Sequence, residues 1–389
     1  MPGDTHPSTH PPLPPTTEDD RVAWLRLLRS RRVGPTTFHR LLAEHGSAAA
    51  ALEALPEVAR AAGVTDYTPC PIGVAEAELR AARAAGADML TFQDAAYPAA
   101  LRDLADAPPM LWVMGDASVL DRPMIALVGA RNASSLGTRM ARSLAAELSE
   151  AGHVIVSGLA RGVDTAAHMA SLKGGTVAVM AGGVDVIYPA ENTQLAGDIL
   201  KTGLRMSEQP AGLVPQARHF PGRNRLISGI AQVVVVIEAA AKSGSLITAR
   251  NALDQGREVM AVPGHPIDAR AAGCNMLLRD GATLVRNAAD VIEALPRPAA
   301  KAQPDLPMGP PQPPEPPGRP GPAPQGRSLR DTAMLHDEIL QRLGPSPLAE
   351  DQLIRDLGAP AGTVAPVLLD LELDGRIARA PGGLLSRAG

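Results

Sequence analysis

Short apolar runs alternate with amphipathic segments through the middle of the chain. The segment 232–238 is a run of branched apolar residues that ends in Glu238, and such a run needs apolar cover on both faces. It therefore predicts a central strand of a parallel sheet. Strands that alternate with helices predict an α/β fold with a doubly wound parallel sheet. The other predicted strands are 124–129, 153–158, 176–183, 204–208, 257–264 and 282–285, and the predicted helices between them include 138–151 and 163–172.

The regions on either side of this alternation have different patterns. Residues 21–88 are rich in Ala and Leu at helical spacing, with a turn at Val33, Gly34 and Pro35 between two helices. This pattern fits a helix-hairpin-helix unit of the sterile-alpha-motif-like (SAM-like) type, whose turn amides can bind a phosphate. The alternative, a small helical packing domain, is favoured because the segment lacks a fuller glycine pattern, and both interpretations stay open. Residues 331–389 run helix, helix, turn, helix and hairpin, an order typical of a winged helix.

Proline content and the terminal composition set the expected boundaries. The stretch 298–330 is rich in proline, which favours a semi-rigid linker over a helix or a central strand. The first twenty residues have neither the basic nor the apolar region of an export signal, and they are predicted to form a disordered tail. The expected segments are a tail at 1–20, a SAM-like helical domain at 21–88, an α/β domain at 89–297, a linker at 298–330 and a winged-helix domain at 331–389.

Composition narrows the classes of function. The 389 residues are 45% hydrophobic, which is typical of a globular protein with a sizeable core. The formal net charge is -4, so any site for a polyanion must be local. The two cysteines, Cys70 and Cys274, lack the spacing of a zinc site or a disulfide scaffold, which predicts no metal and favours a reducing cytoplasm. No segment approaches the ~20 apolar residues of a membrane helix, so no membrane partner is expected.

The loops that follow the first two predicted strands carry small residues and arginines. In the first loop Gly129 is followed by Arg131, which stands where a dinucleotide-binding loop has its second glycine. Arginine removes the close backbone approach that a pyrophosphate needs and supplies a cation, so phosphate binding is favoured over NAD binding. The candidates in the second loop are Ser157, Gly158, Arg161 and Gly162.

Three side chains in or just after the second loop have separate interpretations. Arg161 offers a guanidinium fork for a phosphate, which favours a binding role. Asp164 is placed where a helix N-cap is expected, and His168 lies one turn further on. Both residues are interpreted either as capping and packing residues or as catalytic groups, and the sequence leaves the choice open.

A basic cluster flanks the predicted central strand. The residues after the strand would present backbone amides and hydroxyls at a helix N-terminus, which is a ready anion site. Ala241 stands where a Walker A loop requires glycine, so an ATP-hydrolysing loop is not expected. Several phosphate cradles on one sheet edge fit a polymer of phosphates better than a single cofactor, so no cofactor is expected. The candidates in this cluster are Arg223, Asn224, Arg225, Lys242, Ser243, Gly244, Ser245 and Thr248.

Phe220 lies just before the basic cluster, in a chain with only 2% aromatic residues. An aromatic ring beside a basic groove is the minimal equipment for binding single-stranded nucleic acid. The alternative is a phenylalanine buried in the core. Both interpretations of Phe220 remain open from the sequence.

A series of motifs, in this order, resembles the DNA-processing protein A (DprA/Smf) family. The motifs are ALVGARNASSLG, VSGLARGVDTAAH, TVAVMAGGVDVIYPAEN, SEQPAG, HFPGRNRLISGI, EAAAKSGSLITA, VPG and GCNMLLRDGA, and the resemblance extends from about Tyr97 to Ala282. It implies a Rossmann-like domain that binds single-stranded DNA and loads the RecA recombinase onto it during natural transformation and recombination. It also implies a homodimer without catalytic residues. The DNA-binding roles of the family fall on Arg131, Arg223, Arg225 and the 242–245 loop; Ala130 replaces a serine found in many relatives, which removes a hydroxyl but keeps the charge of Arg131.

Two other classes of function compete with this one. A nucleoside-monophosphate phosphoribohydrolase has a similar sheet and would use Glu238 or Asp164 as acid or base, but its phosphate loop differs from the KSGS stretch found here. An NAD oxidoreductase is disfavoured by Arg131. In the winged helix, the presumed recognition helix carries Asp370, Glu372 and Asp374 and no cation, which disfavours duplex binding and favours a protein contact or an autoregulatory role.

Overall fold

The computed structural model describes residues 14–295 and, further on, 329–344, 348–359, 364, 367–368, 371–372, 374–380 and 384–387. Most of the predicted linker, most of the predicted tail and Asp370 therefore lie outside the described residues; Leu329 and Arg330, predicted in the linker, and Glu18–Asp20, predicted in the tail, are helical. The chain divides into two compact units, Met1–Pro298 and Ala299–Gly389. The helices of the first unit are α1 Glu18–Arg29, α2 Pro35–His45, α3 Ala48–Ala61, α4 Ile72–Ala85, α5 Ala99–Arg102, α6 Ser135–Glu150, α7 Val163–Ser171, α8 Thr193–Ile199, α9 His219–Ile230, α10 Ser245–Asp254, α11 Ala272–Arg279 and α12 Ala288–Ala294.

Nine strands of the first unit form one sheet in the order β1-β2-β6-β5-β4-β3-β7-β8-β9. The seven strands β3 to β9 run parallel to one another. At the other edge, β1 pairs with β2, and β2 pairs with β6, in antiparallel fashion. The order reverses at β3, because chain progression runs outward through β4, β5 and β6 on one side and through β7, β8 and β9 on the other. The strands are β1 Asp88–Thr91, β2 Met110–Gly115, β3 Met124–Val128, β4 Val154–Ser157, β5 Thr176–Val179, β6 Leu204–Ser207, β7 Val233–Val236, β8 Glu258–Ala261 and β9 Thr283–Leu284.

The alternation predicted a doubly wound α/β sheet, and the structure confirms that fold. The run 232–238 forms β7, which lies between β3 and β8 and whose four valines are buried. Helices cover both faces of the sheet, so a strand in this position meets apolar side chains above and below. The seven apolar runs of the sequence contain β3 to β9, each strand one to a few residues shorter than its run.

Two strands were not anticipated from the sequence. β1 and β2 form the antiparallel edge of the sheet, and the helical region packs on them through Met89, Met110 and Trp112. Neither strand is separated from its neighbours by a long helix, so the α/β alternation does not reveal them. The helical region and the sheet share one core cluster, and residues 14–295 belong to one compact unit.

A buried ionic cluster fastens the helical region to the sheet. Glu78 of α4 accepts hydrogen bonds from Arg29 of α1, with Nη2 to Oε1 at 2.7 Å and Nε to Oε2 at 2.9 Å. The indole Nε1 of Trp112 in β2 donates to the same carboxylate at 3.0 Å. The Glu78 side chain is only 7% exposed, so three donors compensate the loss of its hydration.

The second unit contains the helices and the small sheet of a winged helix. Its described helices are α13 Leu329–Arg342 and α14 Glu350–Leu357. Its strands β10 Leu348–Ala349, β11 Ile377–Ala380 and β12 Leu384–Arg387 pair in the order β10-β12-β11. The hairpin β11–β12 falls within the predicted hairpin, whereas β10 occupies the first two residues of a predicted helix.

The longest described helix, α6, has 16 residues. A helix needs ~20 predominantly apolar residues to cross a bilayer. Within the part of the chain that the structure describes, no helix combines the length and the apolar character required for a membrane span.

Replacing Glu78 by alanine is expected to lower the free energy of unfolding by about 3 kcal/mol, because Arg29 and the Trp112 indole lose a buried partner. Urea denaturation followed by tryptophan fluorescence measures this change. The matched control is Glu44→Ala, which removes an exposed i,i+4 pair with Arg40 and is expected to cost less than about 0.5 kcal/mol. Equal losses in the two variants would contradict a fastening role for Glu78.

Candidate functional site

A pocket of about 900 Å³ lies at the carboxyl edge of the parallel strands, beside the reversal between β3 and β7. Ligands of open α/β sheets bind in this position, because the loops that leave adjacent strands diverge there. The walls come from the loops after β3, β4, β5, β7 and β8 and from α9 and α10. The polar and aromatic lining residues are Arg131, Asn132, Asp164, Tyr188, Phe220, Arg223, Asn224, Lys242, Ser243, Ser245, Thr248 and Arg270.

The stretch after β7 forms one wall of the pocket. Helix α10 begins at Ser245, and its first amides already have acceptors: Ser245 donates to the Ser243 hydroxyl at 3.3 Å, and Leu246 and Ile247 donate to the carbonyls of Ser243 and Gly244 at 3.1 Å. The hydroxyls of Ser243 and Ser245 lie 2.7 Å apart, and Asn224 donates from Nδ2 to the carbonyl of Gly244 at 3.4 Å. Lys242 is exposed at the start of this wall. Of the predicted combination, the two hydroxyls and the ammonium group line the pocket, whereas these amides are paired within the turn.

Arg131 lies on the opposite wall and contacts an aromatic ring. Its guanidinium carbon is 5.2 Å from the ring centroid of Phe220, a cation–π distance. Among residues 14–295, no carboxylate lies within ion-pair distance of Arg131 or Lys242. Two charges of one sign thus face the same pocket without internal neutralisation.

Arg223 is the buried cation of the site. Its side chain leaves α9, donates from Nη1 to the carbonyl of Val179 at 3.2 Å, and is 7% exposed. The guanidinium passes directly over Gly158, where a Cβ atom would fall 1.4 Å from Nη1. Burial lowers the pKa of Arg223 to about 10, Arg131 adds to this effect, and Asp164 opposes it. The group is still charged at neutral pH, so it places positive charge under the pocket.

Asp164 and His168 hold the loop after β4 in position. The Asp164 carboxylate accepts from the amides of Gly158 at 3.1 Å and Ala160 at 3.3 Å, and burial raises its pKa while Arg223 lowers it. His168 is fully buried, bonds through Nδ1 to the hydroxyl of Thr176 at 2.8 Å, and has a pKa lowered by burial to about 3. These contacts favour the capping and packing interpretation over the catalytic one.

Several predicted residues of the first two loops are placed behind the pocket. Ser157 is buried and donates its hydroxyl to the carbonyl of Leu127 at 2.6 Å. Gly162 has a φ of +77°, and a Cβ atom there would meet the carbonyl oxygen of Ala130 at 2.3 Å, so the two loops touch through their backbones. Arg161 is exposed and forms an ion pair with Glu191, Nε to Oε2 at 2.5 Å.

Arg225 is directed away from the pocket that Arg223 underlies. Its guanidinium pairs with Glu208 at 2.5 Å and with Asp106 at 3.4 Å, and its side chain is 17% exposed. Two residues apart on one helix, Arg223 and Arg225 point in different directions, because the helical turn rotates successive side chains by about 100°.

Of the predicted site residues, Ser157, Gly158, Arg161, Gly162 and Arg225 do not line the pocket. Those that line it are Gly129, Arg131, Phe220, Arg223, Asn224, Lys242, Ser243, Gly244, Ser245 and Thr248.

Tyr188, Asn132 and Arg270 also line the pocket, and the sequence reasoning did not select them. Tyr188 follows the third parallel strand, and Arg270 comes from the loop after β8. A signal for Tyr188 was present, since an aromatic residue is rare in this chain and stands beyond a strand end at the same edge. Arg270 lies nine residues beyond the end of β8, the same distance as Tyr188 beyond β5, but arginine is common in this chain, so its residue type does not mark it.

Glu238 is engaged at a helix terminus. Its carboxylate accepts from the backbone amide of Ser134 at 2.9 Å and from the Ser134 hydroxyl at 2.5 Å, at the N-terminus of α6. Gly137 leaves room for it, because a Cβ atom there would lie 2.4 Å from Oε2. The carboxylate therefore lies at the helix N-terminus where a Rossmann-type loop would bind a phosphate. This engagement disfavours Glu238 as the acid or base of a hydrolase.

Three family models match successive parts of the chain. The model described as DNA recombination-mediator protein A matches residues 88–296, which is more than half of the chain. A DprA-like N-terminal HHH domain matches residues 18–81, and a DprA winged helix domain matches residues 321–383. These descriptions agree with the helical, α/β and winged-helix order of the structure.

Individual relatives agree with the family models. DNA processing protein DprA of Bacillus subtilis strain 168 is 43% identical over 221 residues, covering 56% of this chain and 74% of that protein. The crystal structure of DprA from Streptococcus pneumoniae is 32% identical with a TM-score of 0.56, covering 71% of this chain and 94% of that one. A structure of DNA processing protein A from Helicobacter pylori, described by its single-stranded DNA binding mode, is 32% identical with a TM-score of 0.50, covering 54% and 96%. On these grounds the chain belongs to the DNA recombination-mediator protein A family, the DprA/Smf proteins.

Proposed function

We propose that this protein binds single-stranded DNA in the pocket at the carboxyl edge of its sheet. One observation carries the proposal: Arg131 and Lys242 line the same cavity of about 900 Å³, together with the hydroxyl-bearing residues Ser243 and Ser245. The net charge of the chain is -4, so this local cationic surface is what attracts a polyanion. The relative from Helicobacter pylori is described by its single-stranded DNA binding mode, which supports the same assignment.

The chemistry of the walls fits a phosphodiester chain. Guanidinium and ammonium groups neutralise phosphates, and the hydroxyls of Ser243 and Ser245 can donate to a phosphate oxygen. The N-terminus of α6, where the phosphate of a mononucleotide would bind, already holds the Glu238 carboxylate. A polymer of phosphates is therefore favoured over a bound nucleotide cofactor.

The three arginines predicted to touch DNA have three different roles in this proposal. Arg131 binds phosphate directly, because it is exposed in the pocket. Arg223 acts from beneath, adding positive charge and holding Gly158 and the end of β5 together. Arg225 serves the structure of the domain through Glu208 and Asp106, since its charge is already paired.

We further propose that the protein delivers RecA recombinase to the bound strand during natural transformation and recombination, as a homodimer in the cytoplasm. The description of the family as a recombination mediator supports the RecA step. The homodimer rests on the sequence resemblance.

No group of three or more potential metal ligands occurs among the described residues, and none of the relatives reported above carries the name of an enzyme.

Removing one phosphate-binding charge is expected to change the salt dependence of DNA binding. Fluorescence anisotropy with a labelled oligo-dT measures affinity at several salt concentrations, and each of Arg131→Ala and Lys242→Ala should make the slope of log affinity against log salt shallower by about 0.7. Lys173→Ala, which removes an exposed lysine outside the pocket, is the control and should leave the slope unchanged. Wild-type protein that binds duplex as tightly as single strands would contradict the proposed function.

Arg225→Ala is expected to reduce stability and leave the salt slope of DNA binding unchanged. Burial raises the pKa of Glu208 and Arg225 opposes that rise, so the variant has a still higher Glu208 pKa in the folded state. A carboxyl group with a folded-state pKa above its unfolded-state value destabilises the folded protein as the pH rises through that interval. The loss of unfolding free energy relative to wild type should therefore be larger at pH 8 than at pH 5, as measured by urea denaturation. A loss of unfolding free energy that does not change with pH, or a shallower salt slope of DNA binding, would contradict this structural role and indicate that Arg225 binds DNA.

The RecA step is tested on single-stranded DNA already covered by a single-strand-binding protein. The wild-type chain should shorten the lag before DNA-dependent ATP hydrolysis by RecA, because it brings RecA to the strand. The double variant Arg131→Ala/Lys242→Ala should not shorten the lag, since it no longer holds the strand. An unchanged lag with wild-type protein that does bind the DNA would refute the loading step alone.

A further inference from the structure

Tyr188 is an exposed aromatic residue at the mouth of the pocket. The chain has eight Trp, Tyr and Phe residues, all within residues 14–295, and only Tyr188 is more than half exposed, at 53%. It lies in the loop after β5, next to the cationic walls. Exposing a tyrosine ring to water forgoes the stabilisation that burial would give, and in a chain so poor in aromatics the position requires a reason.

Phe220 is one of the residues that the sequence suggested for base stacking, but other side chains of the protein already contact its ring. The guanidinium carbons of Arg131 and Arg223 lie 5.2 and 5.8 Å from its ring centroid. The ring of Tyr188 meets it edge to face, with centroids 5.9 Å apart and planes inclined by 62°. Phe220 is partly buried under these contacts, so it anchors Arg131 and supports the ring of Tyr188.

The lining around Tyr188 combines apolar and cationic side chains. Ile247 on α10 lines the same pocket and is 44% exposed, and Val214, which is 66% exposed, precedes Pro215 of the lining. The cations Arg131 and Lys242 line the pocket as well. A nucleic acid strand carries both charged phosphates and flat apolar bases, so the pocket offers contacts to both parts of a single strand.

We propose that the ring of Tyr188 is the stacking platform for one unpaired base of the bound strand, with Phe220 as its edge-to-face support. This inference rests on the proposed binding of single-stranded DNA and names the base subsite of that pocket. Stacking needs an accessible face of a base, which an intact duplex hides between neighbouring pairs. Every base has such a face, so Tyr188 selects for single strands without selecting a sequence.

The test compares oligo-dT with an abasic deoxyribose-phosphate oligomer of equal length, using wild-type protein, Tyr188→Ala and Tyr188→Phe. Tyr188→Ala should weaken binding to oligo-dT by about tenfold, or about 1.4 kcal/mol, with an unchanged salt slope, because stacking releases no counterions. It should leave binding to the abasic oligomer unchanged. Tyr188→Phe keeps the ring and should retain wild-type affinity. Thermal melting serves as the folding control, since an exposed side chain contributes little to stability.

A second readout reports stacking directly. An oligonucleotide containing 2-aminopurine loses fluorescence when its base stacks on an aromatic ring, and this quenching should appear with wild-type protein and Tyr188→Phe but not with Tyr188→Ala. Strand binding that is equally tight in Tyr188→Ala, or that weakens equally on the abasic oligomer, would overturn the inference and leave the proposed function intact. Wild-type protein that binds neither oligomer would overturn the proposed function itself.

Discussion

The buried guanidinium of Arg223 is the interaction on which the pocket depends. It reaches from α9 across Gly158 to the carbonyl of Val179, and so joins the ends of β4 and β5 to the helix that precedes β7. A charge in this position costs desolvation, which is why its pKa falls to about 10. Electrostatic attraction from Asp164, which also holds the amides of the Gly158 loop, opposes part of this cost. Arg223 and Asp164 therefore shape the floor of the pocket together, although no ion pair joins them among the described residues.

The cationic character of the site is local and depends on which charges are left unpaired. The chain as a whole is acidic, and Arg161, Arg225 and Arg270 each have a carboxylate partner. Arg131 and Lys242 have none within ion-pair distance among residues 14–295, so their fields extend into the pocket. Surface ion pairs contribute little to stability, but they decide which arginines remain available to a phosphate. The same residue type thus serves two purposes within one domain.

The α/β core was predictable in detail, and the reason is physical. Strands covered on both faces must be apolar throughout, so β3 to β8 each appear as a short branched run between helical patterns. β1 and β2 lack that signature because they pair antiparallel at the edge and receive cover from the N-terminal helices. The wall at Lys242 and Ser243 was predictable for a related reason, since the loop between a parallel strand and the next helix lies at the carboxyl edge of the sheet, where ligands bind.

The sequence by itself determined the doubly wound sheet, the loops at its carboxyl edge and the family to which the chain belongs. Only the tertiary structure decided which side chains of those loops face the pocket. Arg223 and Arg225 are equivalent in a linear motif, but a helix directs one under the pocket and the other to Glu208. Phe220 and Tyr188 are separated by more than thirty residues, yet their rings meet edge to face in the folded chain. Direction, burial and pairing arise from contacts between distant segments, and local sequence carries no record of them.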